Sequence, residues 1–222
     1  MQKSKRGSAE LPSNDFAVDS NYIIRVENSA PSQTQVARSV VSACEILASN
    51  RVARVVDLGC GRLRNLRVLE KHFPQIALVD TQLQCERISD LVSKRKGVRL
   101  FTTKEFEQTR SKYDAIFLIS VLHVIDKPRA RKRLVVLAHK KLKSGGYLVT
   151  DVPTGEAYYR RRCTSENTYG DGWVMGTGGV RTFYKNYSAS EFDRLITSDT
   201  AFTLHEKISG DHHIIRIWRR NS

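Results

Sequence analysis

The stretch RVVDLGCGRLRNLRVLEKHFP, from Arg54 to Pro74, leaves few folds open to this chain. An apolar, β-branched run over Ala53–Gly59 passes through Asp57-Leu58-Gly59-Cys60-Gly61, and Leu66, Leu69 and Phe73 then recur at helical spacing until Pro74. A short strand of this kind suits the middle of a parallel sheet, and parallel strands need crossover connections, usually helices. Glycines at the end of such a strand permit the positive φ of a sharp turn and let a ligand approach the backbone. A bare G-x-G is a weak signal, because glycines also mark ordinary turns. The residues downstream have to decide.

The same unit repeats. Gln75–Asp80 (QIALVD) reads as a second strand, Ser89–Lys96 as a helix ended by Gly97, and Val98–Phe101 as a third strand. The run from Tyr113 to Leu122 is a fourth strand and the most apolar, hence central. Lys127–Leu142 is a strongly basic helix with Leu134, Leu137 and Ala138 inward, and Tyr147–Pro153 is a fifth strand. Ahead of the first strand, Gln33–Leu47 reads as a helix with Val36, Val40, Ala43 and Leu47 on one face. The pattern then changes: FTLHEKIS and HHIIRIWRR flank Gly210-Asp211, which suits an antiparallel hairpin. The expectation is an α/β, Rossmann-like fold with a mostly parallel sheet of about seven strands, helices on both faces and a C-terminal antiparallel hairpin. Residues 1–20 read as a frayed tail and 21–222 as one domain, with an insertion at about 153–190.

Bulk properties narrow the class. The longest mostly apolar run, Tyr113–Ile125, spans 13 residues and contains Asp114, Ser120 and His123, too short to cross a bilayer, so no membrane partner is expected. Cys44, Cys60, Cys85 and Cys163 form no C-x-x-C pair, which argues against a metal site or a disulfide framework and for a reducing cytoplasm. Thirty-seven Lys and Arg against 23 Asp and Glu leave a charge of +14. Such a field favours polyanionic partners, RNA or DNA, although a solvated basic surface gives the same count.

In an open α/β sheet, ligands bind beyond the carboxyl ends of the strands. Asp80 ends the second strand 23 residues after Asp57, near the roughly 20-residue spacing at which an acidic residue holds ribose hydroxyls in dinucleotide folds. Position 64 is Arg where G-x-G-x-x-G requires glycine, so the pyrophosphate fingerprint fails and a nicotinamide or flavin cofactor loses ground.

At this point the chain resembles the class I S-adenosylmethionine-dependent methyltransferases. Their first motif, an acidic residue followed by x-G-x-G-x-G, is matched by Asp57, Gly59 and Gly61, with Leu63 in the last glycine place. The acidic end of the second strand, VLHVI after the fourth, LKSGGYLVTD and the final hairpin agree, over roughly Gln33 to Arg219. The resemblance implies S-adenosyl-L-methionine as cofactor and S-adenosyl-L-homocysteine as product. It places Gly59 and Gly61 along the methionine part, with Cys60 between them. Asp57 then orients the loop or binds the amino group, and Asp80, followed by Thr81, holds the ribose. Thr102 and Thr103 stand where an adenine contact, often acidic, is usual. Ser120, Val121, Leu122 and His123 fall beside the methyl group.

Methyl transfer from a sulfonium needs a general base only when the acceptor must lose a proton, and His123 is the best-placed base, with Asp151 a second candidate. His212 and His213 are adjacent on a strand, face opposite sides and read as structural. The insertion is rich in Gly, Tyr and Arg and reads as a lid or a substrate-binding loop. Tyr159, Trp173 and Tyr184 are placed to stack on a planar substrate, and Arg160 and Arg181 to meet phosphate. Charge and arginines lean slightly to a nucleic-acid substrate, RNA first. The N-P-P-Y motif of amino-directed DNA methylation and the proline–cysteine pair of pyrimidine C5 chemistry are both absent. A small-molecule O- or N-methyltransferase and a non-catalytic binding module on the same fold remain as alternatives.

Overall fold

The computed structural model describes residues 16–18, 22–29, 35–154, 163–176 and 178–222. The run containing Asp57 forms β3 (Arg54–Leu58), hydrogen-bonded in parallel to β4 (Gln75–Asp80) on one side and β6 (Tyr113–Ile119) on the other. Beyond β4 lies β5 (Val98–Thr102), and beyond β6 lies β7 (Leu142–Pro153). The hairpin strands β11 (Phe202–Ile208) and β12 (His213–Arg220) complete a seven-stranded sheet in the order β11-β12-β7-β6-β3-β4-β5, both antiparallel to their neighbours. This is the expected architecture.

Alternation along the central strands feeds two cores. Val55, Leu78, Phe117 and Val149 face α1 (Arg38–Ala48), α2 (Leu66–His72) and α3 (Gln82–Val92). Val56, Val79, Leu118 and Leu148 face α4 (Thr103–Gln108), α5 (Pro128–Lys141) and α6 (Ala189–Thr197). Three expectations need correction. The third helix begins at Gln82 rather than Ser89, because the Thr81 hydroxyl caps it by accepting the Gln84 amide; Gly97, at φ +75°, lies in the turn beyond it. A capping box between Thr102 and Glu105 builds α4, which hydrophobic periodicity does not reveal. The first helix starts at Arg38, since Ala37 is extended, its amide reaching the Asn65 Oδ1; Gln33 lies outside the described residues.

The insertion contributes to a second, five-stranded sheet in the order β1-β2-β10-β9-β8. It joins β8 (Thr168–Tyr169), β9 (Gly172–Met175) and β10 (Val180–Tyr184) to β1 (Phe16–Val18) and β2 (Tyr22–Ile24). Part of the stretch expected to be a frayed tail is therefore a paired strand. Ile24, Val174 and Phe183 form its small core. One ion-pair network fastens this sheet to the main domain. The Arg131 guanidinium, 2% exposed, reaches Asp171 at 2.6 and 2.7 Å and the Tyr187 hydroxyl at 3.1 Å, and Lys185 bridges Asp171 and Glu191 at 3.2 and 2.7 Å. Among the described residues no helix is long and apolar enough to cross a membrane.

Removing Asp171 leaves the Arg131 cation buried without its main partner, a situation that costs about 3 kcal/mol. Asp171→Ala is therefore expected to lower the urea-unfolding free energy by about that amount, whereas Arg131→Met, which removes the buried charge itself, costs less.

Candidate active site

The loop after β3 is held from beneath by β4. The amides of Gly59 and Cys60 donate to the Val79 carbonyl at 2.7 and 3.2 Å. Asp80 then takes two further amides, Gly61 on Oδ2 at 2.7 Å and Thr81 on Oδ1 at 2.8 Å. The Gln84 side chain donates to the Gly61 carbonyl at 2.8 Å. The backbone passes through left-handed conformations at Gly59 (φ +84°), Gly61 (φ +52°) and Leu63 (φ +66°). A Cβ on Gly59 would stand 2.4 Å from the Val121 Cγ2. Leu63 thus keeps the backbone shape of the glycine it replaces, at a local strain of about 1–2 kcal/mol.

Asp57 lies 1% exposed beneath this loop, and among the described residues its Oδ2 has no hydrogen-bond partner. Burial pushes its carboxyl up to about 7; Arg64 counteracts this and Asp80 adds to it. Burial also raises Asp80, against the pull of its two amide bonds. Glu27, from a short turn after β2, accepts the Thr81 hydroxyl at 2.6 Å. Glu27 and Gln84 are site neighbours that the sequence pattern does not single out.

The ends of β6 and β7 form the other wall. Ser120 takes a left-handed conformation (φ +56°), its amide bonded to the Asp151 carbonyl at 2.8 Å and its hydroxyl accepting Arg64 at 3.1 Å. Val121 packs on Gly59. Leu122, by contrast, is fully buried in the core and offers no side chain to a ligand. Cys60 is 3% exposed with its thiol pushed well up by burial, so it has only backbone to offer. The Thr102 hydroxyl is used in capping α4, and that of Thr103 bonds the Asp80 carbonyl at 3.1 Å.

His123 is enclosed, 5% exposed, and burial pushes its imidazole down to about 3, so it is neutral at any working pH. Its ring lies 5.6 Å from that of Tyr184, and its carbonyl accepts the Lys185 amide at 2.8 Å. Asp151 is a different case. Its Oδ1 meets the Nδ1 of His213 at 2.5 Å, and its Oδ2 accepts the Ser39 hydroxyl at 2.5 Å. His213, read from sequence as structural, thus joins the wall of the site. Trp173 pairs with Tyr184 and Met175 with Thr182, on the face of the second sheet opposite its core residues Val174 and Phe183. Arg181, two residues before Phe183 and paired with Ile24, lies on the opposite face from Trp173 and Tyr184, so the structure does not bring it together with them. Tyr159 and Arg160 lie outside the described residues.

With this geometry in place, comparison with known proteins is decisive. A family model described as a methyltransferase domain matches residues 33–203. The chain belongs to this family, the class I S-adenosylmethionine-dependent methyltransferases. No curated protein matches. Solved structures with the same fold include an S-adenosylmethionine-dependent methyltransferase from Clostridium acetobutylicum, at TM-score 0.65 and 13% identity over 89% of this chain and 95% of that one. Another is the N-methyltransferase NodS from Bradyrhizobium japonicum in complex with S-adenosylhomocysteine, at 0.59 and 15% over 88% and 94%. A third is CalS10, an amino pentose methyltransferase from Micromonospora echinaspora, at 0.60 and 14% over 87% and 93%.

The residues present fit S-adenosylmethionine. The orphaned oxygen of Asp57 suits the cationic amino group of its methionine part, and the cradle at Gly59 has no room for a side chain. Asp80 has lone pairs left over beyond the two loop amides, as a group that would hold ribose hydroxyls needs. Two outcomes are expected. Gly59→Ala, forced against Val121 at a left-handed φ, should weaken cofactor binding at least tenfold in calorimetric titration while the chain stays folded. Since free Asp57 is partly protonated below about 7 and a cation favours its carboxylate, cofactor binding should release protons at pH 6 and almost none at pH 8. Asp57→Asn should abolish that release together with most of the affinity.

Proposed function

We propose that the chain methylates a small acceptor enclosed between the ends of β6 and β7 and the second sheet. The observation that carries this reading is the Tyr184 ring against His123, which brings the Trp173–Tyr184 face of the second sheet to the methyl-transfer end of the site. Bound S-adenosylmethionine supplies an electrophilic methyl group on a sulfonium. Displacement then needs an acceptor held close and in line, and an aromatic cover both positions a planar molecule and excludes water. On this reading Asp57 holds the cofactor's amino group, Asp80 its ribose, and Gly59 and Gly61 shape the bed on which it lies. The similarity to CalS10, an amino pentose methyltransferase, is in keeping with an acceptor of this size.

A nucleic-acid substrate, RNA first, is the second reading, favoured by the charge of +14. Among the described residues, one cluster of cations lies away from this site. A groove of about 820 Å³ is lined by Arg110, Lys112, Lys132, Arg133, Lys140 and Lys141. It lies at the starting end of β6, whose seven residues span about 20 Å, whereas the glycine loop lies at the finishing end of the neighbouring parallel strand. Lys141 and Lys132 are already engaged there, the former by Thr109 and Glu107 and the latter by Asp199 at 3.0 Å.

The test is radiolabelled methyl transfer from S-adenosylmethionine to a pool of small phenols, sugars and amines and, separately, to total RNA. Label is expected in the small-molecule pool, with Trp173→Ala and Tyr184→Ala raising KM at least tenfold and leaving cofactor affinity within twofold. Label in RNA alone, lost when Arg133 and Lys140 are changed to Glu, would replace this reading with the second.

A further inference from the structure

Asp151 and His213 stand 62 residues apart and meet because β7 and β12 pair in a register that sets His213 against Pro153 and Ile215 against Asp151. Both side chains therefore lie on one face of the sheet, at the end where the glycine loop opens. The arrangement has three parts. Asp151, 3% exposed, is fixed by Ser39 from the first turn of α1 and presents its other oxygen to the Nδ1 of His213. The His213 ring is 38% exposed, and among the described residues its Nε2 has no hydrogen-bond partner. A buried carboxylate that fixes the tautomer and plane of a half-exposed imidazole is the arrangement that turns histidine into a directed base. His123 lacks it, being enclosed and neutral with its Nδ1 unpartnered.

We propose that His213 is the general base of the reaction, that Asp151 is its positioning residue, and that the acceptor group is a hydroxyl. This rests on the enclosed-acceptor reading only for the size of the substrate, not for the role of the histidine. An alkylamine is an ammonium at neutral pH and must lose its proton before its nitrogen has a lone pair to attack with, whereas a phenol, with a pKa near 10, is largely protonated yet keeps lone pairs on oxygen, so a base takes the proton within the step itself. In the step, an oxygen lone pair of the acceptor forms the bond to the methyl carbon. The carbon–sulfur bond breaks with its electron pair left on sulfur, giving the neutral thioether. The hydroxyl proton passes to the His213 Nε2, and the imidazolium later returns it to water.

Among the described residues, the charged and titratable groups facing His213 are Asp151 on β7, Arg64 from the glycine loop and His123 after β6, with His212 next to it in the turn before β12. The hydrogen bond to Asp151 raises its pKa above the ordinary 6.5, against burial and Arg64. The base is the neutral ring, so activity should fall as pH drops through that raised value.

The experiment has two arms on the full chain. In the first, the His213 ring is titrated by NMR in wild type and Asp151→Asn; wild type is expected to titrate above 6.5, and the variant lower. In the second, methyl transfer to a series of phenols and to RNA is measured against pH. His213→Gln should lose at least 100-fold in kcat and keep its cofactor affinity within twofold, and the acid limb of wild type should coincide with the NMR value. A wild-type ring titrating at or below 6.5 and unmoved by Asp151→Asn overturns the proposal. So does a His213→Gln enzyme that keeps more than a tenth of its rate, or a cofactor-binding wild type that methylates no hydroxyl in either pool. Methylation of RNA hydroxyls alone, lost in His213→Gln, sinks the small-acceptor reading and leaves the base in place.

Discussion

The site depends first on what Asp80 does. Its two oxygens take the amides of Gly61 and Thr81, so one carboxylate at the end of β4 fixes the loop leaving β3 and the start of α3 together. With that clamp in place the loop can hold three left-handed residues at alternate positions, one of them a leucine. The loop in turn roofs Asp57 with backbone and leaves its carboxylate dry and short of a partner. A buried anion of this kind is costly alone and becomes favourable when a cation enters. The amino group of S-adenosylmethionine is such a cation, and on the proposed reading it is the partner that Asp57 awaits.

The opposite wall works by a similar logic with other groups. Ser120 turns the chain at the end of β6 so that Arg64 can lie between the carboxylates of Asp57 and Asp151. Asp151 meanwhile is satisfied on both oxygens, by Ser39 and His213. The two buried acids thus differ in kind: one is left with an open oxygen, the other is fully engaged in holding a histidine. On the proposed reading, that difference separates a binding group from a positioning group.

Much of this is legible in the sequence because it rests on local patterns. The β-branched run before Gly59, the acidic residue at position 80 and the glycine-rich turn before Tyr147 each carry their signal within a few residues. The element order and the C-terminal hairpin emerge from period and turn chemistry. The second sheet is not legible, because its strands are two to five residues long and come from both ends of the chain. His213 is hidden because the pair reads as two neighbours on one strand, whereas His212 lies in the turn and His213 opens β12; its partner sits on β7, across a pairing that no single-strand pattern reports. Leu122 misleads for the opposite reason. Its place after the fourth strand suggests a ligand contact, but beyond the turn at Ser120 its side chain lies in the core.

The most direct measurement is a crystal structure of the chain with S-adenosylhomocysteine. The expected result has the amino group within hydrogen-bond distance of the Asp57 Oδ2, the ribose hydroxyls at Asp80, and the sulfur facing the space between His213 and Tyr184. Product bound with its amino group on Asp151, or lying away from the glycine loop altogether, would contradict it.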